Sequence, residues 1–178
     1  NRNKGYGSSI NNVKRQVGSA SLLLQHFVTD KWDYTASIRQ ELTDNYGNPF
    51  LFSLGTRYQF TDFYRIKLNA SKNFRMPTYN DLFWEGSGNP DLKPETSYQG
   101  EIGNEFFTKK FSLSVTMYYN SIKDLLRWVP SQGGGDNWSP ENTSRVRAYG
   151  AEVLLEWRTK IENHNFTLNG TYAYTVSE

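Results

Sequence analysis

The residues that could carry chemistry are few. The 178-residue sequence holds no cysteine and only two histidines, which removes disulfides, thiolate metal sites and cysteine nucleophiles. His26 falls in an alternating stretch and His164 in a turn, neither in an HExxH or comparable spacing, so both read as structural. Glu101, Glu105, Glu152 and Glu156 recur at spacings that put them on polar strand faces. General acid–base catalysis would need one of them desolvated, and a wet face does not do that. The Gly133-Gly134-Gly135 tract lacks the strand-to-helix setting of a phosphate loop. No catalytic residue, metal ligand or cofactor is therefore assigned, and the chain is not expected to be an enzyme. Recognition remains. Arg127, Trp128, the glycine tract, Asp136, Asn137 and Trp138 form a segment suited to closing over a ligand, because tryptophan offers broad contact at low entropic cost. The competing reading is that Trp128 only anchors the segment.

The elements that must position these residues are strands. In 64–74, Tyr64, Ile66, Leu68, Ala70 and Phe74 fall on one face and Arg65, Lys67, Asn69, Ser71 and Asn73 on the other, a period of two that no helix would segregate. Stretches 32–42, 50–60, 111–119, 149–157 and 166–176 repeat the pattern. Weaker strands are expected at 17–28 and 98–106; in the first, contiguous Leu22, Leu23 and Leu24 leave the register open. About eight strands result, most of them longer than the ~5–6 residues usual in soluble sheets and close to the ~9–11 of a tilted strand crossing a bilayer. Aromatic residues sit at or beside the strand ends (Trp32, Phe50, Phe60, Tyr64, Phe74, Phe106, Phe111, Tyr119, Trp157). Smaller or aliphatic ones hold the middles (Ala36, Ile38, Leu54, Leu68, Ala70, Leu113, Val115, Val153). That distribution matches the aromatic girdles of a membrane barrel; a sandwich with an aromatic core has no reason to push its rings to both ends.

Connections add a second regularity. Segments 29–31, 61–63, 108–110 and 159–163 are short, and they alternate with the longer 43–49, 75–97 and 121–144. In an up-and-down meander this parity gives one rim of tight turns and one of long loops, as in outer-membrane barrels. Loops beyond ~12–15 residues are usually functional, so function is expected on the long-loop rim. No apolar run approaches the ~18 residues of a spanning helix. The formal charge of +2, with its Lys and Arg scattered, argues against a nucleic-acid partner. The first residues, NRNKGYGSSINN, contain neither a starting Met nor an apolar signal core, which suggests processing or a piece of a longer chain.

The segment 72–106 makes the reading specific. It supplies Phe74, Arg75, Pro77, Thr78, Asn80, Asp81, Leu82 and Phe83, then Gly88, Asn89, Pro90, Leu92, Lys93, Pro94 and Glu95, with Glu101 and Gly103 on the next strand. It resembles the most characteristic segment of the TonB-dependent receptor barrel, in which an F-R-x-P-T-x-N-D-L phrase is followed by G-N-P-x-L-K-P-E. Tyr118 to Leu125 and the phrase NTSRVRAYGAEVLLEW at 142–157 resemble further family phrases, and the wording at 75–84 leans toward receptors for cobalamin-like substrates. The resemblance implies an all-β, antiparallel up-and-down transmembrane barrel in the outer membrane of a Gram-negative bacterium. It implies active uptake of a scarce, bulky nutrient (a siderophore, cobalamin or glycan) bound on extracellular loops. The implied partners are outer-membrane lipid, the receptor's own plug domain, the TonB complex and the nutrient. Residues 1–178 are then expected to be part of one large plugged barrel, without its plug domain and C-terminal strands. Within the phrase, Trp84 and Glu85 are the candidates for ligand contact, and the rest is either a rim staple or part of the ligand surface. A small eight-strand adhesin or structural barrel and a soluble carbohydrate-binding β-sandwich remain as alternatives.

Overall fold

The computed structural model describes residues 2–7, 10–44, 46–47, 49–130 and 137–178, with side chains described from Lys14 onward. Among the described residues the chain forms one antiparallel sheet of nine strands in sequence order, β1 to β9. The strands are β1 (Arg2–Gly7), β2 (Ile10–Thr29), β3 (Trp32–Thr43), β4 (Phe50–Thr61), β5 (Tyr64–Arg75), β6 (Glu95–Phe107), β7 (Phe111–Pro130), β8 (Trp138–Ile161) and β9 (His164–Ser177), with one short helix, α1 (Tyr79–Phe83), between β5 and β6. The up-and-down order follows from the connections, since tight turns can join only antiparallel neighbours.

The register aligns the alternating residues into two faces. One rung runs Leu54, Ala70, Gly100, Tyr119, Tyr149 and Val176; another runs Thr56, Leu68, Ile102, Met117, Ala151 and Tyr174. Leu22 and Leu24 pair with Ile38 and Ala36 and join this apolar face, while Leu23 pairs with Ser37 on the polar one. Ile38, Leu54, Leu68 and Met117 are 44 to 47 % exposed. In a sheet this polar on its other side, such exposure is what lipid contact requires. Near the short turns Tyr58 meets Phe60 edge-on at 4.7 Å, and Phe60, Tyr64 and Phe106 stack in series at centroid spacings of 5.5 and 4.6 Å. Tyr119 and Tyr149 stack at 6.5 Å toward the other rim. From Tyr64 to Phe74 the strand makes ten steps of ~3.4 Å, and a tilt of ~40° turns these into an apolar band roughly 26 Å tall.

The opposite face is laced by polar pairs. Arg57 meets Asp33 at 2.5 Å, Lys67 meets Glu105 at 2.6 Å, and Arg65 also binds Glu105. Ser37 and Ser53 share a 2.7 Å hydrogen bond. The α1 helix touches both β2 and β8. A connection rooted on β5 and β6 reaches those distant strands only across the concave side, so the polar face is the inner one.

Three expectations change. The sheet has a ninth strand, β1, where the hydrophobic alternation is too weak to mark one. The segment 121–144 is not all loop: β7 and β8 stay paired up to Pro130 and Trp138, so a ladder projects beyond the apolar band. The segment 75–97 shortens to 76–94, because Arg75 pairs with Glu95.

Candidate functional site

The connection 76–94 turns inward and is fastened at both ends of its span. Its helix starts at Thr78, which with Asp81 forms a reciprocal capping box: the Asp81 amide donates to Thr78 Oγ1 at 3.2 Å, and the Thr78 amide donates to Asp81 Oδ2 at 2.8 Å. This satisfies helix donors that would otherwise be left open. Pro77, just before the cap, is fully buried, and its carbonyl accepts a 2.9 Å hydrogen bond from Arg15 Nη1 on β2. The Arg15 guanidinium lies 5.6 Å from the Tyr46 ring and 5.2 Å from the Tyr79 ring, a cation held between two aromatic faces.

The other side is fastened to the β7–β8 ladder. Trp128 Nε1 donates to Asp81 Oδ1 at 2.9 Å. Asn89 Nδ2 donates to the Pro140 carbonyl at 3.2 Å. Asn142 accepts from the Lys93 amide at 2.8 Å and donates to the Lys93 and Asp124 carbonyls at 2.9 and 2.8 Å. The Glu95 carboxylate accepts from the Leu126 amide at 3.2 Å and meets Arg75 at 3.5 Å. Beneath these bonds Leu82, Leu92 and Leu126 form the buried apolar cluster of the described residues. A single-layer sheet has no other interior, so this packing belongs to the loop.

The helix ends in a tight reversal. Gly86 takes φ +77, and the Gly88 amide donates to the Trp84 carbonyl at 2.7 Å. A Cβ on Gly88 would lie 2.6 Å from the Trp84 nitrogen, so only glycine fits there. The Asn89 amide then donates to the Asp81 carbonyl at 2.8 Å, and its side chain accepts from Asp91 at 3.0 Å, which shapes the turn around Pro90. Burial alone would raise the Asp81 carboxyl. Hydrogen bonds from the Thr78 amide and hydroxyl and from the Trp128 indole, with the charge of Arg75, outweigh it and hold Asp81 below its ordinary value. Burial pushes the Tyr46 hydroxyl up, and the Arg15 charge offsets part of that.

The candidates for ligand contact separate into groups. Trp128 is tied to Asp81, whereas Trp84 and Trp138 are 45 and 52 % exposed and Glu85 is exposed. Arg127 pairs with Glu141 at 2.7 Å and borders an open hollow of about 580 Å³ with Ser87, Asn89 and Pro140. Asn80, Pro90 and Lys93 are exposed, and Pro94 is half-buried. The glycine tract and Asp136 lie outside the described residues. Arg15, Tyr46 and Tyr79 were not singled out by sequence, and Asn142 only as the first residue of the phrase 142–157. Three inner-face glutamates are engaged with neighbours: Glu105 with Arg65 and Lys67, Glu101 accepting from Gln99 at 2.6 Å, and Glu156 meeting Arg158 at 2.8 Å, while Glu152 is exposed. His26 packs 5.4 Å from Tyr34 and His164 6.5 Å from Phe166. The arrangement presents a fixed surface, with the Thr78 hydroxyl held by the capping-box carboxylate of Asp81.

A sheet girdled on its outer face, polar within and crossed at one rim by a fastened loop, is a segment of a large membrane-spanning β-barrel. The family described as "TonB dependent receptor-like, beta-barrel" matches residues 1–178, and the chain belongs to that family, whose members reside in the outer membrane of Gram-negative bacteria. It is 30% identical over 165 residues to the "Vitamin B12 transporter BtuB" of Vibrio vulnificus (strain YJ016), covering 92% of this chain and 27% of that protein. It is 26% identical over 178 residues to the "Iron-regulated outer membrane virulence protein" of Vibrio cholerae (El Tor Inaba N16961), covering 85% of this chain and 27% of that protein. The siderophore receptor PirA of Pseudomonas aeruginosa shares the fold with a TM-score of 0.74 at 18% identity, over 94% of this chain and 33% of that one. The chain thus spans about a quarter to a third of the relatives it matches.

Proposed function

We infer that the chain is the part of an outer-membrane receptor's barrel that shapes the mouth through which a scarce, bulky nutrient is captured and imported with TonB-derived energy. It acts as a receptor and carries out no covalent chemistry. The observation that carries this reading is the loop 76–94, fastened to β2 on one side and to the β7–β8 ladder on the other. A preorganised rim binds a large ligand without first having to order itself. Trp84, Glu85 and Trp138 are its ligand-facing groups, and Arg127 contributes from the hollow it borders with Ser87 and Asn89. The plug of the whole receptor rests against the inner face that carries Glu101, Glu105, Glu152 and Glu156. Cobalamin is the favoured substrate, because relatives matching most of this chain are named vitamin B12 transporters. An adhesin or a soluble sandwich would have no use for an inward loop fixed at both ends over a polar concavity.

The test is equilibrium binding of cyanocobalamin to the full-length receptor in detergent. Trp84→Ala and Trp138→Ala are each expected to weaken binding about tenfold, equivalent to ~1.4 kcal/mol for an interfacial aromatic, with barrel abundance unchanged. Binding of a ferric siderophore in place of cyanocobalamin would move the substrate and keep the receptor. Unaltered binding in both variants would overturn the assignment of the mouth.

A further inference from the structure

The β7–β8 ladder changes character where β6 leaves it. The last rung shared by all three strands joins Thr96, Lys123 and Arg145. One residue further, Asp124 takes φ +56, and pairing resumes beyond it with Leu125 and Thr143. Among the described residues the other non-glycine with positive φ is Glu162, in the tight turn between β8 and β9, where such angles are ordinary. Asp124 lies inside a strand, and its side chain disfavours the left-handed backbone by about tenfold relative to glycine.

Asn142 holds it there. Its carboxamide offers an oxygen acceptor and two N–H donors, and each is engaged. Oδ1 accepts from the Lys93 amide at 2.8 Å, while Nδ2 donates to the Lys93 carbonyl at 2.9 Å and to the Asp124 carbonyl at 2.8 Å. Toward Lys93 the side chain thus plays the part of a strand backbone, and one group ties the connection 76–94 to the kinked residue. On the flank that β6 has vacated, the Glu95 carboxylate accepts from the Leu126 amide at 3.2 Å. A carboxylate in place of the Asn142 amide would set its oxygens against two carbonyls.

Whatever lies beyond the break inherits its angle. Trp128 and Trp138 both stand on that part of the ladder. At ~3.4 Å per residue, Pro130 at the end of β7 is about 20 Å from Asp124, so a change of about 10° there moves it by about 3.5 Å. Such a displacement parts an aromatic ring from a ligand stacked on it.

We propose that Asn142 is a positioning residue of the mouth, an inference that rests on the reading of the ladder as ligand-facing. By clasping Asp124 to Lys93 it keeps Asp124 in the left-handed conformation and sets how far the distal ladder leans toward the lumen. Released from the clasp, Asp124 returns to an extended φ and the ladder swings away with its tryptophans.

The experiment uses the full-length receptor in bilayers, with spin labels on cysteines at Gln16 and Asn137, and reads the distance between them by pulsed electron resonance beside equilibrium binding of cyanocobalamin. Asn142→Asp is expected to move the distance by about 3 Å or more and to weaken binding about tenfold. Asn142→Ser removes both donations without adding charge and is expected to do the same, which covers the case in which the aspartate blocks barrel assembly. In an Asp124→Gly background, where the left-handed backbone carries no penalty, Asn142→Asp is expected to move the distance by under about 1.5 Å and binding by under about threefold. Asn89→Asp cuts a different loop-to-ladder bond, keeps the acceptor for Asp91, and is expected to leave the distance unchanged. A distance that stays fixed in both Asn142 variants, an equal shift in the two backgrounds, or an equal shift in Asn89→Asp would each overturn the proposal. A shifted distance with unaltered cyanocobalamin binding would uphold the positioning role and overturn the ligand-facing reading of the ladder instead.

Discussion

Replacing Asp81 by alanine isolates the fastening of the loop from the stability of the barrel. The carboxylate is 6 % exposed and accepts from the Thr78 amide at 2.8 Å, the Thr78 hydroxyl at 2.8 Å and the Trp128 indole at 2.9 Å. Hydrogen bonds to a charged acceptor contribute ~1.5–3 kcal/mol each, and loss of a helix cap costs ~1 kcal/mol. Thr78 is exposed and can turn to water, so the sum contracts to about 3 kcal/mol, or roughly a hundredfold in the opening equilibrium of the loop. Hydrogen exchange followed by mass spectrometry on the full-length receptor reads this directly. Amides within 76–94 should exchange about a hundred times faster in Asp81→Ala. In Asp81→Asn, which still offers an acceptor to Trp128, the acceleration should be closer to fivefold, the cost of exchanging a charged bond for a neutral one. Amides of β5 and β6 should not change in either variant. Less than a threefold acceleration in the alanine variant, or equal acceleration in the flanking strands, would refute the reasoning.

Acid should act on the same contact. The folded Asp81 value is depressed, so its contribution is fully present above the ordinary carboxylate value and is lost as pH falls through the depressed folded value. Loop protection is expected to hold down to about pH 4 and fail below it; in Asp81→Asn this acid-dependent loss should disappear, as read by the same exchange experiment. Gly88→Ala forces a Cβ to 2.6 Å from the Trp84 nitrogen; a local cost of about 2 kcal/mol should appear as new protease cleavage within 76–94 while the barrel keeps its heat-modifiable mobility on gels. Leu68→Lys places a charge at mid-height on the lipid face and should cost ~2–4 kcal/mol in denaturant titrations in bilayers, whereas Asn69→Lys on the inner face should be close to neutral.

Sequence reading succeeded where one physical signal dominates. In β5 the lipid face and the wet face have opposite demands at every second residue, so Tyr64 to Phe74 is legible without any partner. The β2 register was not, because Leu22, Leu23 and Leu24 satisfy either face alone; pairing of Leu24 with Ala36 and of Leu23 with Ser37 decides it. The upper half of the β7–β8 hairpin was read as loop because, beyond Tyr119, the outer face leaves the hydrocarbon and the hydrophobic period vanishes although the ladder continues. The prolines and glycines of 76–94 announced a shaped loop, and Thr78 with Asp81 spells a capping box that could have located α1. What the loop is fastened to was not legible. Periodicity assigns a face and never a distant partner, so neither Arg15 beneath Pro77 nor Asn142 around Lys93 could be found from spacing.

The central claim is that the apolar face of the sheet lies in lipid while the polar face looks into the lumen that the connection 76–94 crosses. Nitroxide labels placed singly at 64–74 of the full-length receptor in bilayers test it most directly, by comparing collision with oxygen, which partitions into lipid, and with a water-soluble nickel chelate. The account expects a period of two, with oxygen dominating at Ile66, Leu68 and Ala70 and falling at Arg65, Lys67, Asn69 and Ser71. A profile without that alternation, or with its phase reversed, would contradict it.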